Sequence, residues 1–385
     1  MLVVIRRRPG RALAVTVVVL LVLVLIAVLG VGWYFSGVAL AVDHSPYLPE
    51  TATVIPGGQV RISRDGDSDI PGIYGLAWGR GGDAGYGQVG EITSRDATTV
   101  TRPFTLLKGR PPHGSPADVD PSRWSGDPSD VGLQFRNVTV RSDLGNLPTW
   151  LVPAARDDGV TWVVFIHGHD ASRMESLRYL TRWHALGLPV LVPTYRDDVG
   201  APASAGGQHA LGETEWRDAA AAVGWAMAHG ARDVVLAGWS MGGAISLQAV
   251  DRSPYVASHV RGLVLDSPVL DWRDVFAHQG ADRGLPAPLI DVAEWFVEER
   301  SGMNLDRFDW PARAKDLKRP MLVLHGTGDS YVPGGPSVAV AKARPDLVTL
   351  VRIPGAGHTR SWNVDPARYD KAMADWLASV GALPR

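Results

Sequence analysis

The chain contains no cysteine among its 385 residues. This absence excludes a thiol nucleophile, a zinc site built from cysteines and any disulfide framework. A charge excess of one sign is also lacking, because 38 basic residues face 40 acidic ones and leave a formal net charge of −2. Nothing in this balance indicates a nucleic-acid partner. Hydrophobic residues make up 45% and charged residues 20%, which is typical of a globular protein with an apolar surplus.

Much of that surplus lies at the N-terminus. The chain begins with a basic cluster, Arg6, Arg7, Arg8 and Arg11, and an almost uninterrupted apolar run follows at residues 12–31. Twenty residues at about 1.5 Å each span about 30 Å, the thickness of a bilayer core. Trp33, Tyr34 and Phe35 come next, where the aromatic belt of a membrane span lies. We therefore predict a transmembrane helix at residues 12–31, with the lipid bilayer as a partner.

The arginines also predict the orientation of this helix. Basic residues precede the span and none directly follows it, which favours a cytoplasmic N-terminus in the cell membrane and an extracytoplasmic remainder. A cleaved signal peptide is the main alternative, since Ala39-Leu40-Ala41 is typical of a cleavage site. The apolar run is longer than the usual signal-peptide core, so a retained anchor is favoured. A buried core helix is the third reading.

The composition of residues 42–130 predicts a small β-rich, loop-rich extracytoplasmic region. Short runs such as Glu91–Thr101 and Arg102–Leu107 have β character and are separated by turn residues. Gly85–Gly90 matches the dinucleotide fingerprint G-x-G-x-x-G, but a residue string favouring a strand follows it where a helix is required. We interpret these glycines as a turn and predict no cofactor.

Residues 131–385 predict an α/β domain. Six apolar runs have the length of buried strands: Trp162–Ile166, Pro189–Val192, Asp233–Ala237, Val260–Leu265, Met321–Leu324 and Thr349–Ile353. Helical patterns lie between or after them, at Ser172–Leu186, Glu213–His229, Met241–Val250, Ser337–Ala343 and Pro366–Val380. This alternation predicts a mostly parallel central sheet with helices on both faces. Gln134–Val140 and Pro148–Val152 would be antiparallel strands at one edge.

Ser240 is the candidate nucleophile. It stands at the centre of Gly238-Trp-Ser-Met-Gly242, a G-x-S-x-G string between a predicted strand and a predicted helix. Such a turn is so tight that side chains two positions either side would clash, which explains both glycines. The serine hydroxyl then projects at a helix N-terminus, whose free N–H groups stabilise a developing oxyanion.

A serine needs a base, and Asp329 and His358 follow it in the required order. Each comes directly after a predicted strand, at the carboxyl edge where α/β sheets carry their sites. We expect His358 to accept the proton of Ser240 and Asp329 to orient the imidazole. Asp266, at the end of the predicted strand Gly262–Leu265, is the rival acid. His325 and His209 are the rival bases, but neither follows the final strand.

The backbone N–H groups of His169 and Met241 are the candidate oxyanion hole. His169 follows the strand that ends at His167-Gly168, and Met241 directly follows the nucleophile. The His167-Gly-His169 string could suggest a metal, but alternate residues of a strand end point in opposite directions and no carboxylate cluster is evident nearby. We predict no metal site.

These motifs resemble the α/β-hydrolase superfamily from about Leu133 to the C-terminus. The matching strings are Phe165–Gly168, Pro193–Asp197, Gly238–Gly243, Leu324–Asp329 and Gly355–His358. The chain looks most like the serine-aminopeptidase-like and dipeptidyl-peptidase-like hydrolases of bacteria. That resemblance implies a short cap at about residues 270–310 between the sixth and seventh strands. Its aromatic residues would line the pocket or form the core of the cap: Trp272, Trp295, Phe296 and Phe308.

Two classes of function remain open. The first is a membrane-anchored serine hydrolase (carboxylesterase/lipase-like or aminopeptidase-like) that cleaves an ester, thioester or amide bond of a small ester or peptide-like substrate through an acyl-enzyme on Ser240. The second is a non-catalytic envelope binding or scaffold protein with a hydrolase fold. A cofactor-free perhydrolase activity is a further possibility with the same triad. Specificity resides in loops and cap, so the sequence does not name the substrate.

Overall fold

The computed structural model describes residues 9–156 and 160–384, with side chains from residue 13 onward. Of the predicted basic cluster, Arg6, Arg7 and Arg8 lie outside the described residues. Helix α1 (Pro9–Leu40) contains the predicted span and continues beyond it. Among the described residues one helix is long and apolar enough to cross a membrane, at Leu13–Leu40.

A small antiparallel barrel follows α1. Its strands are β1 (Glu50–Ile55), β2 (Gln59–Ser63), β3 (Tyr74–Trp78), β4 (Gly85–Val89), β5 (Ser94–Arg95), β6 (Thr99–Lys108) and β7 (His113–Asp118). They are ordered β2-β1-β7-β3-β4-β6-β5, and β6 also pairs with β2, which closes a barrel of six strands and leaves the short β5 paired with β6 alone. The sequence predicted two separate β runs, Glu91–Thr101 and Arg102–Leu107. Their separation is wrong, because β6 passes through residues 101 and 102 as one continuous strand.

The turn predicted at Gly85–Gly90 is also wrong, because residues 85–89 form β4. A Cβ atom at Gly85 would lie 2.3 Å from the Trp78 indole, and one at Gly87 would lie 2.4 Å from the Phe104 ring. Glycine is present in this strand because aromatic rings of the neighbouring strands lie directly on its backbone.

The α/β domain contains an eight-stranded sheet. Its strands are β8 (Arg136–Arg141), β9 (Asn146–Val152), β10 (Thr161–Ile166), β11 (Val190–Pro193), β12 (Asp233–Trp239), β13 (Val260–Asp266), β14 (Met321–Gly326) and β15 (Val348–Ile353). The order is β15-β14-β13-β12-β10-β11-β9-β8, parallel from β15 to β11 and antiparallel at β9 and β8. The predicted fold class, an α/β-hydrolase fold preceded by an apolar helix and a β-rich region, is confirmed.

Helices cover both faces of this sheet. They are α2 (Leu177–Ala185), α3 (Trp216–Ala228), α4 (Met241–Arg252), α5 (Pro254–His259), α6 (Trp272–Asp282), α7 (Ala287–Ser301), α8 (Gly335–Ala343), α9 (Ser361–Val364) and α10 (Pro366–Ser379). Along β12, Val234 and Leu236 belong to one apolar core and Val235 and Ala237 to the other. Because both faces are buried, the strand is apolar at every position rather than at alternate ones.

Candidate active site

Ser240 lies between the end of β12 and the first residue of α4, in a left-handed backbone conformation with φ of 53°. The flanking glycines are required by close backbone approach. A Cβ atom at Gly238 would lie 2.4 Å from the carbonyl oxygen of Gly242, and one at Gly242 would lie 2.2 Å from that of Ile166. A non-glycine residue with positive φ is strained, and such strain is concentrated at functional sites.

The structure brings the three predicted triad residues together. The Oγ atom of Ser240 lies 2.8 Å from Nε2 of His358, and Nδ1 of His358 lies 2.9 Å from Oδ2 of Asp329. The backbone N–H groups of Tyr331 and Val332 donate to Oδ1 of Asp329 at 3.0 and 2.9 Å. An imidazole nitrogen is therefore in position to accept the serine proton, with a fixed carboxylate on its other side.

The electrostatics of Asp329 suit this arrangement. Burial would raise the pKa of its carboxyl group, but the charge of His358 and hydrogen bonds from His325, His358 and Val332 outweigh burial and hold that pKa well below its usual value. Asp329 is therefore ionised at neutral pH.

The rival residues do not replace the predicted ones, because the Ser240 hydroxyl pairs with His358 and the His358 imidazole pairs with Asp329. His325 stands behind the triad, with Nδ1 at 2.9 Å from Ser337 Oγ and Nε2 at 3.1 Å from the carbonyl oxygen of Val332. Asp266 accepts the backbone N–H of Ser240 through its own carbonyl oxygen, while its buried carboxyl group makes no hydrogen bond to His358. Burial raises the pKa of the Asp266 carboxyl to about 6.

The predicted oxyanion donors lie on two segments beside Ser240. Among the described residues no hydrogen-bond acceptor engages the backbone N–H of His169 or of Met241. The preceding residue, Gly168, packs against the nucleophile, since a Cβ atom there would lie 3.3 Å from Ser240 Cβ. Both donors are free for a ligand.

Buried side chains fix the Gly168–His169 peptide. The Tyr195 hydroxyl donates to the carbonyl oxygen of Gly168 at 2.7 Å, and Glu175 accepts the Gly168 N–H at 2.9 Å. Nδ1 of His167 lies 3.0 Å from the same carbonyl oxygen, and Nε2 lies 2.8 Å from Asp198. Because the C=O and N–H of a trans peptide point in opposite directions, fixing the Gly168 carbonyl also fixes the direction of the His169 N–H.

Tyr195→Phe is expected to lower kcat about tenfold with little change in KM, because one of three partners of the Gly168 carbonyl is lost and the His169 N–H is less well aimed. Complete loss of an oxyanion donor costs about 10²–10³ in kcat, and here the donor is only loosened. Steady-state kinetics on p-nitrophenyl acetate measure the effect. Tyr255→Phe, on the exposed surface of α5, is the matched control. Equal kcat values for the two variants would contradict the role of Tyr195.

A cluster that the sequence did not predict lies next to the oxyanion segment. His169, Asp170 and His209 place ligand-capable atoms within 4.8 Å of one another, the one such group found among the described residues. Oδ1 of Asp170 lies 2.9 Å from His209 Nε2, and Oδ2 lies 3.1 Å from His169 Nδ1. The carboxylate thus bridges both imidazoles and ties residue 209 to the oxyanion segment. His209 is too far along the chain from its partners for spacing to reveal the cluster.

The predicted cap consists of α6 and α7, between β13 and β14. A largely apolar pocket opens from Ser240 beneath it. Of the four predicted aromatic residues only Trp272 lines this pocket; Trp295 is half exposed, Phe296 packs against Trp33 and Phe308 is buried in the domain core. Burial raises the pKa of Glu294, which also lines the pocket, to about 7.

The turn that carries His358 touches the barrel, which sequence reasoning missed. Arg360 donates to the carbonyl oxygen of Val119 at 3.1 Å and pairs with Asp67. Asn363 donates to the carbonyl oxygens of Ile73 and Pro121 at 2.7 and 3.0 Å. The turn with His358 is therefore held between the barrel and the eight-stranded sheet.

Comparison with known proteins agrees with this architecture. Residues 163–372 match a family model described as alpha/beta hydrolase family, and residues 51–124 match one described only as a domain of unknown function, DUF8805. No curated protein matched the sequence.

Among solved structures, the chain is similar to the Pyrococcus furiosus esterase Pf2001, with 19% identity, a TM-score of 0.53 and coverage of 66% of this chain and 95% of the other. It is also similar to a puromycin-hydrolyzing peptidase of Mycobacterium tuberculosis, with 16% identity, a TM-score of 0.51 and coverage of 86% of this chain and 53% of the other. At these identities the likeness shows the fold. Since the family model covers more than half of the sequence, the chain belongs to the alpha/beta hydrolase family and is a hydrolase of that type.

Proposed function

We propose that the chain is a serine hydrolase that cleaves an ester, thioester or amide through an acyl-enzyme on Ser240. The observation that carries the proposal is the continuous relay from Ser240 Oγ to His358 at 2.8 Å and from His358 to Asp329 at 2.9 Å. The strained backbone of Ser240 and the free N–H groups beside it support the same reaction.

The reaction has two halves. The Oγ atom of Ser240 bonds to the substrate carbonyl carbon while its proton passes to Nε2 of His358, and the N–H groups of His169 and Met241 stabilise the oxyanion. His358 returns that proton to the leaving alcohol, thiol or amine as the scissile bond breaks. Water then attacks the acyl-enzyme with His358 again as base, which releases a carboxylic acid and restores Ser240.

We also propose that residues 12–31 anchor the enzyme in the cell membrane, with a cytoplasmic N-terminus and an extracytoplasmic catalytic domain. Support comes from the exposed apolar surface of α1, where the large apolar side chains between Leu13 and Ile26 are 46–67% exposed. An exposed surface of this extent and length fits a bilayer better than water.

A fluorophosphonate probe tests the catalytic proposal on the full chain in detergent. Wild type is expected to be labelled and Ser240→Ala is expected to lose all labelling, because the probe bonds to the activated serine oxygen. Ser246→Ala, a buried serine of the same helix whose hydroxyl donates to the Gly242 carbonyl at 2.7 Å, serves as the control and keeps its label. An unlabelled wild type, or equal labelling of Ser240→Ala, would overturn the proposal.

A further inference from the structure

The pocket beside Ser240 has walls from two sources. The cap and the core beneath it supply mostly carbon surface: Val269, Trp272, Val275, Phe276, Ile290 and Val297. The other wall is the end of α1, through Phe35, Val38 and Ala39. The volume of the pocket, including the solvent at its open mouth, is about 880 Å³. A helix that carries a predicted membrane span thus forms part of the substrate pocket.

Close packing fixes the end of α1 to cap helix α7. A Cβ atom at Gly32 would lie 2.5 Å from the Val292 side chain, so the two backbones approach as closely as a glycine permits. The Arg300 guanidinium donates to the carbonyl oxygen of Trp33 at 3.1 Å and to the Ser36 hydroxyl at 2.8 Å. It also lies 4.3 Å from the centre of the Trp33 ring. These contacts join the end of α1 and cap helix α7 into one packed unit.

The residues after α1 bind the oxyanion segment. Leu40 is fully buried in the core of the α/β domain, and its carbonyl oxygen accepts the N–H of His209 at 3.0 Å. The N–H of Asp43 donates to Oδ1 of Asp170 at 3.0 Å. Leu40, at the centre of the Ala39-Leu40-Ala41 string, is therefore part of the folded core, and cleavage after Ala41 would remove a pocket wall together with the Leu40 contacts.

The position of the pocket along α1 determines its expected depth relative to the bilayer. Apart from half-buried Val28, every described residue of α1 from Leu13 to Gly30 is exposed, and Gly32, which packs against Val292 of the cap, is the first buried one. Phe35 lies five residues past Gly30, or about 8 Å at 1.5 Å per residue. The headgroup layer outside a bilayer core is of similar thickness. Exposed Trp33, Tyr34 and Trp295 surround this level, as aromatic side chains do at a membrane interface.

From these contacts we infer that the pocket is an acyl-chain site, walled on one side by the anchor helix, for long-chain esters that reach Ser240 from the outer leaflet of the bilayer. The inference rests on the proposed function and adds the substrate class to it. An aliphatic chain fits because it needs no hydrogen bonds from the apolar wall. An ester carbonyl at the headgroup level lies at the depth of the pocket. The acyl chain therefore passes from the bilayer into the pocket without crossing water.

Chain-length preference tests the inference on the full protein in detergent. Wild type is expected to have a kcat/KM for p-nitrophenyl palmitate at least tenfold above that for the acetate. Val38→Trp narrows the pocket at the side that α1 supplies and is expected to lower the ratio of the palmitate kcat/KM to the acetate kcat/KM at least tenfold. Val24→Trp, the same change on the exposed part of the same helix, is expected to match wild type on both esters.

The bilayer route has its own test. Protein in phosphatidylcholine vesicles that contain p-nitrophenyl palmitate is diluted tenfold at constant mole fraction of ester. The rate per enzyme is expected to stay unchanged, because enzyme and ester share a membrane, and a fall in proportion to dilution would overturn the route. Identical profiles for Val38→Trp and Val24→Trp, or a wild-type preference for acetate, would overturn the acyl site. In either case fluorophosphonate labelling of Ser240 would leave the proposed function standing, and only its loss would remove both.

Discussion

Asp329→Asn is expected to lower kcat by about 10⁴-fold and to leave KM within a few-fold, which is the loss seen when the acid of a Ser-His-Asp triad becomes an amide. The carboxylate now receives Nδ1–H of His358 at 2.9 Å and the N–H groups of Tyr331 and Val332. An amide that keeps its oxygen on the two backbone donors turns its NH₂ toward His358. That favours the imidazole tautomer with its proton on Nε2, which cannot accept the proton of Ser240.

Asp266→Asn is the matched control for this prediction. The change is the same, the site is also buried at a strand end, and the Asp266 carboxyl makes no hydrogen bond to His358. Its pKa of about 6 already places a partly neutral carboxyl there near neutral pH, so an amide is a tolerable replacement. We expect a loss of kcat below tenfold on p-nitrophenyl butyrate. If Asp266→Asn lost 10⁴-fold and Asp329→Asn did not, the acid of the relay would be Asp266.

The catalytic core could be predicted from sequence because its signals are local. A strand buried on both faces is a continuous apolar run, so β10, β12 and β14 stand out without knowledge of their neighbours. The elbow joins a strand, two glycines and a helix within a few residues. Asp329 and His358 each follow a strand, and the parallel sheet brings those strand ends to one edge.

Contacts between distant segments could not be predicted. The barrel closes through the pairing of β2 with β6, which depends on shape rather than on any short motif. The end of α1 that docks on the cap is apolar like the exposed part before it, so hydropathy does not separate the two. The one local signal was the pair Gly32 and Ser36, small residues four positions apart that are typical of close helix packing.

Asp67→Ala is expected to lower kcat about tenfold, and Arg360→Met about 10²-fold, although Asp67 belongs to the barrel and neither residue touches the nucleophile. Arg360 follows His358 by two positions and is held by Asp67 and by the carbonyl oxygen of Val119. Without these two contacts of Arg360, the turn that carries His358 is expected to shift. A displacement of about 1 Å at a reacting group can cost about 10²-fold in rate.

Hydrogen bonds inside the barrel hold the loop that contacts the His358 turn. Buried Arg102 has no carboxylate partner among its hydrogen bonds and instead donates to the carbonyl oxygens of Ser68, Ile70, Gly72 and Gly90. Three of these belong to the loop that follows Asp67. The same loop continues to Ile73, whose N–H donates to the carbonyl oxygen of Asn363 at 3.0 Å. Arg102 thus fixes the side of the barrel that contacts the His358 turn.

The measurement separates a positioning role from loss of stability. KM for p-nitrophenyl butyrate and the thermal midpoint of Asp67→Ala are expected to stay near wild type, while kcat and the rate of fluorophosphonate labelling fall together. Arg64→Met is the control, since Arg64 pairs with Asp69 on the exposed side of the barrel and is expected to change kcat less than twofold. Unchanged kcat in both Asp67→Ala and Arg360→Met would show that the barrel does not hold the general base. A fall in kcat with unchanged KM would give that domain a defined role in catalysis, as the support that keeps His358 within reach of Ser240.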